Sequence, residues 1–214
     1  MDTFEVGFVF PTTTYKLNKP EFLEAASAVH QKHVEEELKE VDPIYPIFQS
    51  TFINDERLFD LVKYSCQSAW NILGEQGYDM EKYSTFMSEI WAQRLFKHGQ
   101  HIEHTHNLGA QISGFYFIKV PENSSRIVVF DPRPAKKQIG LMQRDMKEAT
   151  PSSDQINFVP KDGDLFLFNS WLGHGFIPNA SDETFDFIHF NISVMPSVAP
   201  QLGETSCQAE PEVI

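Results

Sequence analysis

The feature that most constrains this chain is a change of grammar near Ser84. Beyond it, short segments rich in Phe, Ile, Val and Tyr are split by Gly, Pro, Asn and Asp: EIWAQRLF, QISGFYFIKV, RIVVFDP, QINFVP, DLFLFNS, HGFIP and FDFIHFNISV. Each is short and bounded by turn residues, which is how strands read. PENSS (121–125) and PKDGD (160–164) supply turn chemistry between them. Regular short strands of this kind predict a mainly β fold, an all-β barrel or a two-sheet jelly roll.

Before Ser84 the spacing is helical. KPEFLEAASAVHQKHVEEELKEVD places Phe22, Leu23, Ala26, Val29, His33 and Leu38 near helical spacing, with a Glu-rich polar face. Pro20 suits the first turn, and DPIYP stops the helix. A second helix is expected from an Asn54 N-cap to Gly74 or Gly77, with Leu58, Leu61, Val62, Ser65, Ala69 and Ile72 on one face. His30 and His33 read as surface or helix-packing residues. The expected organisation is a helical region over 1–83 packed on a β core over 84–196, then a polar tail over 197–214. At 214 residues this is one domain overall.

Composition narrows the function. Hydrophobic residues make up 41% of the chain, with nineteen Phe, so a packed interior is expected. A formal net charge of -13 repels phosphate backbones and anionic membranes, so neither nucleic acid nor membrane is an expected partner. No stretch is long and apolar enough to span a bilayer, and MDTFEVGFVFPTTTYKL lacks a basic region followed by an apolar core. Cys66 and Cys207 have no metal-type or redox spacing and suit a reducing compartment. A cytoplasmic protein is the expectation.

Chemistry concentrates in HIEHTHNLGAQISGFYFIKV (101–120). His104 and His106, two apart on extended backbone, would point the same way. His174, flanked by Gly173 and Gly175 after the apolar segment DLFLFNS, is a candidate third ligand. Three protein ligands leave positions open, as a catalytic metal requires. His101-Ile102-Glu103 offers a rival H-x-E clamp, and a carboxylate is the more usual partner of His in non-haem iron sites. The residues alone leave both clamps open, beside the reading of solvated loop histidines. Hydrolase chemistry is poorly supported, since no G-x-S-x-G occurs and neither Cys has a basic setting.

The ordered motifs His104-x-His106, Ser113-Gly114-Phe115-Tyr116-Phe117, Phe130-Asp131-Pro132-Arg133, Ser170-Trp171-Leu172-x-His174, Pro178-Asn179 and Phe190-Asn191-Ile192 resemble a known family. It comprises iron(II)- and 2-oxoglutarate-dependent oxygenases common in marine bacteria and their phages. The resemblance implies a double-stranded β-helix core, a cupin-like jelly roll, with Fe(II) at His104, His106 and His174 and 2-oxoglutarate as co-substrate. It favours His104 and His106 over His101 and Glu103. One position departs from the family pattern: Phe185 stands where an Arg on the last core strand pairs with the co-substrate's far carboxylate. His189, on the same strand face, is then the nearest polar candidate to bind the co-substrate, with Arg133 and Tyr116 beside it and Arg94 and Gln93 weaker. Trp91 and Trp171 read as core residues.

The expected function is a non-haem oxygenase hydroxylating an unidentified small molecule or peptide, in the host cytoplasm if phage-encoded. A homodimer is open, since jelly-roll enzymes often dimerise. A cupin-like three-His metal enzyme without 2-oxoglutarate is the alternative that Phe185 favours. A non-enzymatic jelly roll with a relict site is the other.

Overall fold

A computed structural model describes residues 14–106, 109–133, 136 and 138–197. The tail expected over 197–214 lies outside these residues beyond Ser197. In chain order the elements are β1 (Thr14–Asn18), α1 (Leu23–Glu37), β2 (Ile47–Gln49), α2 (Phe59–Glu75), β3 (Tyr83–Leu95), β4 (His101–His104) and β5 (Ala110–Lys119). Then follow β6 (Ile127–Phe130), β7 (Gln155–Phe158), β8 (Asp164–Asn169), β9 (His174–Phe176) and β10 (Phe185–Pro196).

The strands form two antiparallel sheets, one of six in the order β1-β8-β5-β10-β3-β2 and one of four in the order β4-β9-β6-β7. The larger sheet has two covered faces. On its outer side Ile112, Tyr116, Leu167, Ile188, Phe190 and Ile192 join a cluster with helix residues such as Ala26, Val29, Leu61 and Ala69. On its inner side Phe115, Phe117, Phe166, Phe168, Phe185 and Phe187 meet Ile127, Val129 and Phe176 of the smaller sheet. This is why the four central residues of β8, Leu165 to Phe168, read as an unbroken apolar run: all six residues of the strand are buried. Gly114 fits the same logic, because a Cβ there would stand 2.5 Å from the Phe190 ring and 2.7 Å from Leu167 Cδ2.

The seven expected strand segments all form strands. Three further strands were not anticipated: β1 and β2, which extend the larger sheet at its edges, and β4. The first helix stops at Glu37, well before DPIYP, with Leu38 already extended. The second is entered through a 3₁₀ turn capped by Asp55, whose carboxylate accepts from the Arg57 N–H, so Asn54 is not the cap. His30 is a packing residue, 1% exposed, with Nε2–H donating to the Gln93 carbonyl at 2.9 Å. Trp171, expected in the core, is 52% exposed.

Candidate active site

β4 ends at His104, which pairs directly across the smaller sheet with His174 at the start of β9. His106 lies two residues past the end of β4, so the His-Thr-His run is not a continuous strand. A backbone bond from His106 N–H to the Ser170 carbonyl (2.9 Å) turns the chain so that the imidazoles still meet, with ring centroids 5.2 Å apart for His104 and His106. One ligand atom from each of His104, His106 and His174 lies within 4.8 Å of the others. Glu103 stays outside this group: it is exposed and lies against Gly173, where a Cβ would come within 2.9 Å of Glu103 Oε1.

Hydrogen bonds orient two of the rings. His104 Nδ1–H donates to the Ile102 carbonyl (2.8 Å) and His174 Nδ1–H to the Leu172 carbonyl (2.9 Å). A carbonyl only accepts, so both rings keep the Nε2 lone pair free. His174 Nε2 faces His106 Nε2 at 3.2 Å. Nitrogens that close need a proton or a cation between them, and a neutral imidazole set of this kind suits a divalent transition metal. Beyond His106, the Asn191 amide is fixed by accepting from Ser113 Oγ (2.7 Å) and donating to Glu89 (2.6 Å).

Burial, reinforced by the neighbouring imidazoles, lowers the pKa of His106 to about 4, of His174 to about 3 and of His101 to about 4, and puts His189 well below its ordinary value. All four are neutral at pH 7, the state a metal ligand requires. The same shifts set an acid limit. A histidine whose folded pKa is depressed binds protons first in the unfolded chain, so its contribution to stability is complete above about pH 6.5 and falls as pH drops toward the folded values. Metal-free protein is expected to lose thermal stability steadily from pH 6.5 to 4. A midpoint that stays flat down to pH 5 in thermal melts would contradict the buried neutral set.

Beside the three histidines lies a cavity of about 310 Å³, walled by residues that include Trp91, Gln93, His101, Phe115, Phe176 and His189. Tyr45 and Ile102 stand at its rim, 52% and 77% exposed. No Lys, Arg, Asp or Glu lines it among the described residues. His189 is 2% exposed, between Trp91 (ring centroids 4.4 Å) and His106 (4.6 Å).

Two expected co-substrate residues are not brought here. Tyr116 points to the outer, helix-bearing face of the larger sheet, where its hydroxyl donates to the Lys19 carbonyl at 2.7 Å. It is one residue out of register with Phe115, which faces the site. Arg133 is exposed beyond the end of β6 and is held by Asp131 through bonds of 2.7 to 3.2 Å. Arg133→Ala is therefore expected to leave iron and 2-oxoglutarate affinities within about twofold of wild type by calorimetry, as for a surface change. Arg94 also faces the helices, bound to Asp186 at 2.8 and 2.7 Å, so the Asp186 carboxylate does not enter the cavity either. Phe185 is fully buried among Phe117, Phe176 and Phe187. Trp91, Gln49 and Tyr45 in the wall were not anticipated as site residues. Only the even spacing of Trp91, Gln93 and Leu95 along β3 hinted that they share a face.

A protein-family profile described as "Putative 2OG-Fe(II) oxygenase" matches residues 89–191, a span that contains His104, His106 and His174. The match spans 103 of the chain's 214 residues, nearly all of them in the β-rich part of the fold. No curated protein sequence matches the chain. Solved structures similar to this chain include a Pseudomonas putida prolyl-4-hydroxylase, at 11% identity and TM-score 0.58, covering 85% of this chain and 92% of that one. A viral collagen prolyl hydroxylase from Paramecium bursaria Chlorella virus-1, solved with 2-oxoglutarate, matches at 12% identity and TM-score 0.53, covering 84% and 94%. The epimerase SnoN, in complex with Fe3+, α-ketoglutarate and a nogalamycin compound, matches at 9% and TM-score 0.60, covering 90% and 88%. At these identities the likeness shows the fold, the double-stranded β-helix. The matched profile is one of Fe(II)- and 2-oxoglutarate-dependent oxidoreductases, and the three-histidine group lies within its span. None of its helices, among the described residues, is long and apolar enough to cross a membrane.

Proposed function

We propose that His104, His106 and His174 hold Fe(II) on one face and that the enzyme hydroxylates an uncharged portion of a small molecule or peptide. The observation that carries this reading is the meeting of three imidazole ligand atoms within 4.8 Å, two of the rings oriented by carbonyl partners, beside a cavity that His104 and His106 line. Iron with 2-oxoglutarate and dioxygen supplies the oxidising power, the oxoacid going to succinate and carbon dioxide as one oxygen atom enters the substrate.

The residues of this chain do the rest. The Ile102 and Leu172 carbonyls fix the orientation of His104 and His174. The Phe115 and Phe176 rings keep water from the inner wall, while exposed Tyr45 and Ile102 give the entrance an apolar rim. The apolar rim of Tyr45 and Ile102 favours an uncharged group on the part of the substrate that enters past it. The prolyl hydroxylases and the epimerase among the structural neighbours make both peptide and small-molecule substrates reasonable classes.

The reading is tested by anaerobic titration of metal-free protein with Fe(II) and then 2-oxoglutarate, following the weak visible charge-transfer band of the chelate. A band in wild type that is lost in His106→Ala supports it. Failure to bind iron overturns it.

A further inference from the structure

The cavity wall has a second property that the metal does not explain. Among the described residues, four buried side-chain nitrogen or oxygen atoms have no hydrogen-bond partner: Trp91 Nε1, His101 Nε2, His189 Nε2 and Ser65 Oγ. The first three belong to residues lining this one cavity. An unpaired buried polar group is costly, and three in one wall give a polar ligand in this cavity partners that an apolar one would leave unused. The indole N–H can only donate, so that ligand carries an acceptor at Trp91. The three atoms come from β3, β4 and β10, on both sheets. Trp91 and His189 are adjacent, and both are more than nine-tenths buried.

The arginines and Phe185 complete the picture. Among the described residues no cation lines the cavity: Arg94 and Arg133 are bound to Asp186 and Asp131 elsewhere, and Phe185 stands where the family pattern has an ion-pairing Arg. A carboxylate entering beside the iron would meet uncharged polar groups: the Trp91 N–H and, in their Nε2–H tautomers, His101 and His189. Its oxygens can accept from several donors at once, and hydrogen bonds to an ionised acceptor are stronger than neutral ones.

We propose that this enzyme binds the far carboxylate of 2-oxoglutarate through neutral N–H donors, with Trp91 Nε1–H as the principal one and His189 and His101 assisting, and without an ion pair. The inference rests on the reading that iron and 2-oxoglutarate meet at His104, His106 and His174.

The test compares two oxoacids on the anaerobic Fe(II)-loaded full-length enzyme by calorimetry. 2-Oxoglutarate carries the far carboxylate; 2-oxobutanoate has the same metal-binding head without it. Wild type is expected to bind 2-oxoglutarate at least about tenfold more tightly, the effect of a hydrogen bond to a charged group. Trp91→Phe keeps the ring and removes the donor, and is expected to erase about tenfold of that preference while leaving 2-oxobutanoate affinity unchanged. His101→Leu and His101→Gln provide a second pair should Trp91→Phe fold poorly: the first lowers the preference, and the second restores it through its amide N–H.

Equal wild-type affinities overturn the inference. So does a preference that Trp91→Phe leaves intact, or a parallel loss for both oxoacids, which would make the indole a structural wall. Iron uptake with no binding of either oxoacid overturns the inference while the three-His metal site stands. Failure to take up iron overturns the proposed function and the inference with it.

Discussion

Removing the His174 imidazole is expected to lower metal affinity by more than about a hundredfold and to abolish turnover. His174 is fully buried, its Nδ1–H is committed to Leu172, and its Nε2 lies 3.2 Å from His106 Nε2. Taking it away leaves two half-buried imidazoles, one at the end of β4 and one just past it. Disturbing even the partners of a metal ligand commonly costs ten- to about a hundredfold, so deletion of the ligand sets that range as a lower bound. His174→Ala also leaves a hole beside Phe115 and Phe168, whose rings lie 5.8 and 4.5 Å from the imidazole. His174→Phe separates the two effects, because it keeps a ring in the core and offers no donor atom. Cobalt(II) titration against a competing chelator, with circular dichroism to establish folding, reads both variants. A folded His174→Phe protein with wild-type affinity would remove His174 from the metal set.

Phe190→Ala should do the reverse. Phe190 is fully buried on the outer face of the larger sheet, with its ring over Gly114 and within the cluster that the helices close. Truncating a buried Phe removes its transfer free energy and leaves a cavity, at a cost of about 3–5 kcal/mol. In a chain of this size that lowers the thermal midpoint by about 10 °C. Metal affinity measured well below the midpoint should stay near wild type, since the His189 and Asn191 side chains point to the other face. A large loss of affinity with little loss of stability would mean that the two faces of β10 are not independent.

The strands were legible because their signals are local: an apolar run between turn residues needs no knowledge of the rest of the fold. The missing strands lacked such runs. β1 is a largely exposed edge segment, TYKLN, and β4 is HIEH, with two of its four residues exposed. The Glu-rich end of the first helix kept a helical spacing past Glu37 but had no core to bury, and the chain turned extended at Leu38.

That His104, His106 and His174 come together was legible from type and spacing, but extended backbone alone does not carry His106 to the other two. It is the Ser170 carbonyl, distant in sequence, that brings His106 round. Tyr116 misled for a definable reason: seven of the ten residues of β5 are buried, with apolar side chains on both faces, so the sequence carries no parity signal to say which face holds the site. Arg133 misled because its partner is Asp131, two residues back in a turn, and a local pair of that kind leaves no mark on the hydrophobic pattern.

That double burial of the larger sheet has a consequence for how such an enzyme can change. Along β10, Phe185, Phe187, His189 and Asn191 face the space between the sheets, where the site lies, while Ile188, Phe190 and Ile192 face the helices. Neighbouring codons of one strand therefore answer to different selections, one for what the cavity accepts and the other for whether the chain stays folded. The site can be redrawn by alternate substitutions while its support is left alone, and a single-residue register slip would exchange the two sets at a stroke.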